Sequence, residues 1–231
     1  MGQKVKKIAV LFTLFILPAL LFYLMVYTGV HKVNRLHFYG PRTVTETQRR
    51  GATVYDTTYH SIPAFAAASD LNGVPFSSKT VEGKIYLAHF IDMSQLQDIP
   101  KEVTYLAAET LPLYPSVEFV SFLEKMPAGL KIDLPSVKTS KLSNCDVRWH
   151  YVNTSDSLAT YLKKEGYFKK DPQDTLNTDP GSVVLIDMEG HIRGYYNPVL
   201  QSDASNLKKE ISMLYKEYEL AFKTHKYIDF N

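Results

Sequence analysis

Cysteine is nearly absent from this chain: Cys145 is the only one in 231 residues. A single thiol excludes an internal disulfide framework and any dithiol cycle run within one chain. Histidine is missing from the whole stretch between His150 and His191, and tryptophan occurs once. A strong excess of either charge is lacking too. The formal net charge of +2 gives no electrostatic footprint for nucleic acid or for an acidic partner, so the lysines and arginines read as a solvated surface. Internal repeats and low-complexity tracts are also missing, which excludes solenoids and disordered tails.

What the chain has is apolar and aromatic content, 45% and 13% respectively, the composition of a globular protein. It also has one long uncharged run. Lys4, Lys6 and Lys7 precede residues 8–30, which carry no charged side chain. At about 1.5 Å per residue that run is long enough for a hydrocarbon core of about 30 Å, with Tyr23 and Tyr27 as interfacial anchors. YTGVH, residues 27–31, offers no small-x-small cleavage site, so an uncleaved anchor is expected rather than a signal peptide. Gly2 is not a myristoylation site, because Lys6 stands where Ser or Thr is needed. The expected organisation is a cytoplasmic N-terminus (1–7), a transmembrane helix (8–30), a polar linker (31–51) and one domain (52–231). The lysines before the span place that domain across the membrane, on the periplasmic side of an inner membrane.

Along the domain the pattern alternates between strand and helix. Residues 54–65 are strand-like, and Asp70, Asn72 and Gly73 supply turn chemistry for a hairpin into Val74, Pro75 and Phe76. Residues 85–91 form a nearly continuous apolar run, the mark of a central strand buried on both faces. Val103, Leu106, Ala107 and Leu111 then follow helical spacing, with Pro100 at the start, where its missing N–H costs little. Residues 117–123 and 147–152 read as two further strands. A helix follows from about Ser155, with Asp156 in its first turn and Gly166 as its stop. Residues 183–186 and 192–196 form an antiparallel pair around Glu189 and Gly190. A last helix begins near Asp203, with Leu207, Ile211, Leu214, Tyr218, Leu220 and Ala221 as its buried stripe.

Residues 83–101, GKIYLAHFIDMSQLQDIPK, resemble the strand-to-helix loop of the Sco/SenC family, the thioredoxin-fold copper chaperones of cytochrome oxidase assembly. Gly83, Lys84, Phe90, Pro100 and Lys101 match that family's pattern. Residues 182–197 (SVVLIDMEGHIRGYYN) are similar to its strand-turn-strand, residues 59–65 and 70–73 to its first strand and hairpin, and residues 36–41 (LHFYGP) to its juxtamembrane linker. The resemblance implies an α/β thioredoxin-like fold, a central mixed sheet flanked by helices, carrying one N-terminal transmembrane helix. The family's two copper-binding cysteines fall on Gln95 and Ile99, and its histidine falls near Asp179. The resemblance therefore implies a degenerate site: no catalytic residue, no metal and no cofactor. It further implies a binding or assembly protein in respiratory oxidase biogenesis, with a membrane protein as partner.

Other candidate residues have ordinary alternatives. His89, Asp92 and Met93 form a conceivable substitute metal set, the basis of an alternative reading as a metal-binding or redox protein with non-family ligands. Each is more simply a packed or surface residue. Cys145, beside Asp146 in SNCDVRWH, lacks the cation or helix N-terminus that lowers a thiol pKa. Asp187 and Arg193 are expected to fix the hairpin turn. Tyr215, Tyr218 and Tyr227 on the last helix read as core. If the family's metal loop has become a docking surface, Met93, Leu96 and Ile99 are its candidates, with apolar groups exposed.

Overall fold

A computed structural model describes residues 2–28, 35–49, 51–66, 68–71, 73–94, 99–126, 148–171 and 181–228, with backbone alone at 2–6, 8–11, 25–28, 49 and 222–228. The chain divides into two compact units, Met1–Asn34 and Arg35–Asn231. The first is a helix, α1 (Gly2–Thr28), with Pro18 inside it. Its described side chains include Phe12, Leu14, Phe15 and Phe22, all solvent-facing. Among the described residues no helix is long and apolar enough to cross a membrane.

The second unit begins with a ribbon. β1 (Arg42–Arg49) and β2 (Ala52–Tyr59) pair antiparallel over their full length and form a sheet of their own. The polar linker expected over residues 31–51 is thus partly strand, and the strand expected over 54–65 ends at Tyr59. Thr43, Thr45, Thr47, Thr53, Thr57 and Thr58 explain the difference. Polarity suggested linker, but β-branched side chains favour extended backbone.

The main sheet has seven strands in the order β4-β3-β7-β6-β5-β8-β9. β3 (Ala68–Asp70) and β4 (Pro75–Phe76) make the expected hairpin, closed by the Asp70 carboxylate, which accepts the Val74 N–H at 2.7 Å. β5 (Ile85–Asp92) is central and buried along nearly its whole length. It runs parallel to β6 (Val117–Glu124), which runs parallel to β7 (Trp149–Asn153). On the other side β5 pairs antiparallel with β8 (Val183–Ile186), and β8 pairs antiparallel with β9 (Ile192–Tyr196).

Helices cover both faces, as a sheet of such apolar strands requires. α2 (Lys101–Thr110) follows β5, with Pro100 at its N-cap. It buries Val103, Leu106 and Ala107 on the face holding Ile85, Leu87, Ile91 and Phe119. The last helix, α4 (Gln201–Ile228), shares that face and inserts Leu207, Ile211 and Leu214. Each such side chain contributes about 1.5–3 kcal/mol by leaving water. Tyr215 and Tyr218 are half-buried against the same core, whereas Leu220 and Ala221 are exposed. Within the expected stripe, burial therefore ends at Tyr218. The side chain of Tyr227 lies outside the described residues.

The opposite face packs Tyr86, Phe90, Phe122 and Val152 against α3 (Asp156–Tyr161) and the π turn Leu162–Tyr167 that continues it. Gly166, expected to stop this helix, lies inside the π turn. Its role is close approach: a Cβ there would stand 3.1 Å from Pro63 Cδ.

Candidate functional site

β5, β6 and β7 deliver their C-terminal ends to one edge of the sheet, and β8 starts from that same edge. Met93 and Ser94 follow β5 there. Met93 closes the strand, its N–H donating to the Glu124 carbonyl at 2.9 Å, and its side chain is fully buried. Ile99 is 4% exposed and belongs to the core beneath α2. Both were expected to present apolar groups to a partner. The structure instead buries both side chains in the cluster that joins α2 to β5. Gln95, Leu96, Asp179 and Cys145 lie outside the described residues.

His89 sits on the α2 face, beside Ser121 in the β5–β6 register. Its Nε2–H donates to the Gly181 carbonyl at 3.1 Å, and among the described residues its buried Nδ1 has no hydrogen-bond partner. Burial pushes this imidazole down to about 4, so it is neutral at pH 7, with an acceptor lone pair on Nδ1. Asp92 points to the opposite face by strand alternation. The Lys125 ammonium at 2.7 Å and the Ser94 N–H at 2.9 Å hold its carboxyl well below the usual carboxylate range. His89, Asp92 and Met93 therefore do not converge. Among the described residues no group of three or more His, Cys, Asp or Glu side chains is placed to hold a metal ion. Ile99, where the resemblance expects a cysteine, carries no donor atom and is packed in hydrocarbon.

Charged pairs occupy this end of the sheet. Lys125, at φ 48, bends β6 away through a left-handed backbone while reaching Asp92. Glu124 pairs with Lys163, whose ammonium stands 5.4 Å from the centre of the Phe90 ring. None of these pairs was visible from sequence spacing, since their partners lie on different elements.

A denser network lies at the β8–β9 turn, and here the expectation for Asp187 and Arg193 understates the geometry. Asp187 Oδ1 accepts the Glu189 and His191 N–H groups at 3.0 and 2.9 Å, which fixes the turn. Oδ2 accepts Arg193 Nη1 at 2.9 Å. Arg193 Nη2 donates to the Leu36 carbonyl at 3.0 Å and to Glu217 Oε2 at 2.7 Å, and the guanidinium stacks 4.0 Å over Phe38. Asp187 and Arg193 are 1% and 2% exposed. One arginine thus joins the hairpin, α4 and the first segment of the unit. At the edge of the sheet opposite Met93, a half-open cleft of about 530 Å³ lies between Ile62, Lys79, Glu82, Tyr86, Met188 and Glu189.

The strand order β9-β8-β5-β6 with only β8 reversed, one helix between β5 and β6 and another after β9, defines a thioredoxin-like domain. α3 joins its two halves and covers the second face, and β7 extends the sheet beyond β6. Several solved structures are similar in fold. A Sco-family cytochrome c oxidase assembly protein, BsSco, matches with a TM-score of 0.49 and 18% identity over 67% of this chain and 93% of its own. A SCO1/SenC family lipoprotein from Bacillus anthracis matches with a TM-score of 0.49 and 20% identity, covering 67% and 94%. A secreted Mycobacterium tuberculosis disulfide oxidoreductase homologous to E. coli DsbE matches with a TM-score of 0.41 and 17% identity, covering 65% and 96%. No protein-family model matches the sequence, and no curated protein matches it.

Proposed function

We propose that this protein is a membrane-anchored, Sco/SenC-like thioredoxin-fold domain that works as a binding or assembly protein without copper or thiol chemistry, in respiratory oxidase biogenesis. The observation that carries this reading is Ile99. Where the resembling family places a cysteine, this chain places a hydrocarbon side chain 4% exposed, in a sequence with one cysteine in total. A position that has become core has no route back to ligation by a change of redox state or pH. The uncharged run at residues 8–30 supports an N-terminal anchor in the inner membrane with the domain on the periplasmic side. Part of the family's habit of meeting membrane partners is carried over by analogy, since a fold does not fix a function.

Titrating Cu(I) into the purified chain against a strong chelator tests the proposal. No stoichiometric retention is expected, and retention of one equivalent would overturn it. Co-purification from detergent-solubilised membranes identifies the partner. One observation favours the second reading, a metal-binding or redox protein with non-family ligands: the Nδ1 lone pair of His89, which has no hydrogen-bond partner among the described residues. Loss of any retained metal on replacing His89 with Gln would support that reading.

A further inference from the structure

The β1–β2 ribbon is the part of the domain that its own contacts explain least. Among the described residues the two strands pair only with each other, and the described side chains of residues 42–48 and 52–56 are exposed, Val44 and Tyr55 at 57% and 67%. A two-stranded hairpin is marginal in water, whereas three or more strands stabilise one another. A free edge is also a template for another strand, and proteins normally blunt it with proline, lysine or a bulge. The ladder runs without a register shift from Arg42↔Tyr59 to Arg49↔Ala52, and neither strand contains proline or lysine.

Which backbone groups are free follows from the register. Only residues 50 and 51 separate the two strands, and the pair flanking a two-residue loop is hydrogen-bonded. Antiparallel pairs alternate from there. Arg42, Val44, Glu46 and Gln48 therefore turn their N–H and C=O groups outward, along the free edge of β1. Their side chains share one face. A second β1 added antiparallel must set even-numbered residues opposite even-numbered ones. Centred on Val44, the pairing puts Arg42 opposite Glu46 of the other copy, twice by symmetry, with Val44 against Val44. Centred on Glu46, it puts like charges face to face. The free edge of β2 turns out Thr53, Tyr55, Thr57 and Tyr59, which offer no charge pair.

We propose that the free edge of β1 is a self-association surface, on which a second copy of this chain adds its own β1 in the Val44-centred antiparallel register. The product is a continuous four-stranded ribbon, β2-β1-β1-β2, and the two-fold axis makes every contact twice. The charge pattern selects another copy over an unrelated strand, because Arg42 and Glu46 complement each other at the spacing this register requires.

The test uses the full chain in a mild non-ionic detergent, with its association constant measured by sedimentation. A dimer is expected, with hydrogen exchange at the amides of Arg42, Val44 and Glu46 slowing as concentration rises, while the inward amides of Thr43 and Thr45 stay protected throughout. Arg42→Glu and Glu46→Arg should each weaken the dimer about tenfold, two cross-strand charge pairs being reversed in each case. The double variant Arg42→Glu/Glu46→Arg should restore it. A monomer at every concentration overturns the proposal, as does a dimer indifferent to both single changes. Protection of these amides by lipid vesicles or by another protein, without self-association, overturns it in favour of that occupant.

Discussion

Burying an imidazole with one partner sets folding against protonation, and His89 carries that conflict. Its folded value of about 4 lies below the ordinary 6.5. Above pH 6.5 both folded and unfolded chains hold it neutral, and it adds no pH dependence. As pH falls from 6.5 to 4 the unfolded chain takes up a proton that the folded chain refuses, so stability declines through that window by roughly 3 kcal/mol and then levels off. His60, also lowered by burial, acts in the same direction, while Asp92 loses its contribution only at lower pH. Denaturant unfolding from pH 7 to pH 4 should show this decline, and His89→Gln should flatten most of it. An unchanged slope in the variant would mean that the folded protein accepts the proton.

At the scale of elements, α3 illustrates how local chemistry and packing divide the work. Ser155 caps the helix, its hydroxyl accepting the Leu158 N–H at 3.3 Å. The cap is exposed and its hydroxyl meets, besides that amide, only the Ser157 hydroxyl at 3.2 Å, so Ser155→Ala should cost about 1 kcal/mol in unfolding free energy, leaving the fold and the near-UV spectrum unchanged. Both the capping residue and Asp156 were legible in the sequence. The far end of the helix was not. Gly166 reads locally as a stop, but here it lets the π turn reach Tyr167 while Pro63 packs against it and His60 Nε2 bonds its carbonyl at 2.9 Å. A residue more than a hundred positions away decided what that glycine does.

Across the whole molecule, Arg193 connects segments far apart in sequence: Leu36 and Phe38 at the start of the unit, Asp187 in the hairpin and Glu217 on α4. Removing one member of a buried ion pair leaves the other charge unpaired, so Arg193→Ala should destabilise the domain by about 3–5 kcal/mol. Lys84→Ala, which removes a more exposed partner of Glu118, should cost about 1 kcal/mol or less. Chemical denaturation compares the two directly. In Arg193→Ala, hydrogen exchange in residues 36–39 should also rise, because the anchor of that segment is gone; equal effects of the two substitutions would remove the network's special standing.

The sequence by itself determined the strands and helices of the main sheet, because burial on two faces writes continuous apolar runs and helix faces write a 3.6-residue period. The run at residues 85–91, the pair at 183–186 and 192–196, and the stripe of Leu207, Ile211 and Leu214 each carry that signature. The single cysteine likewise fixed the available thiol chemistry before any folding. Tertiary structure alone decided the direction in which short segments face. Met93 and Ile99 follow a strand end and precede a helix, where hydrophobicity is compatible with exposure or burial, and only the closure of α2 onto β5 turned them inward. The threonine-rich segment was polar enough to read as linker, yet pairing across residues 50 and 51 made it a ribbon. Partners of Arg193, Asp92 and Glu124 were unreadable for the same reason: an ion pair is set by distance in space, and these residues meet only after the chain has crossed the sheet.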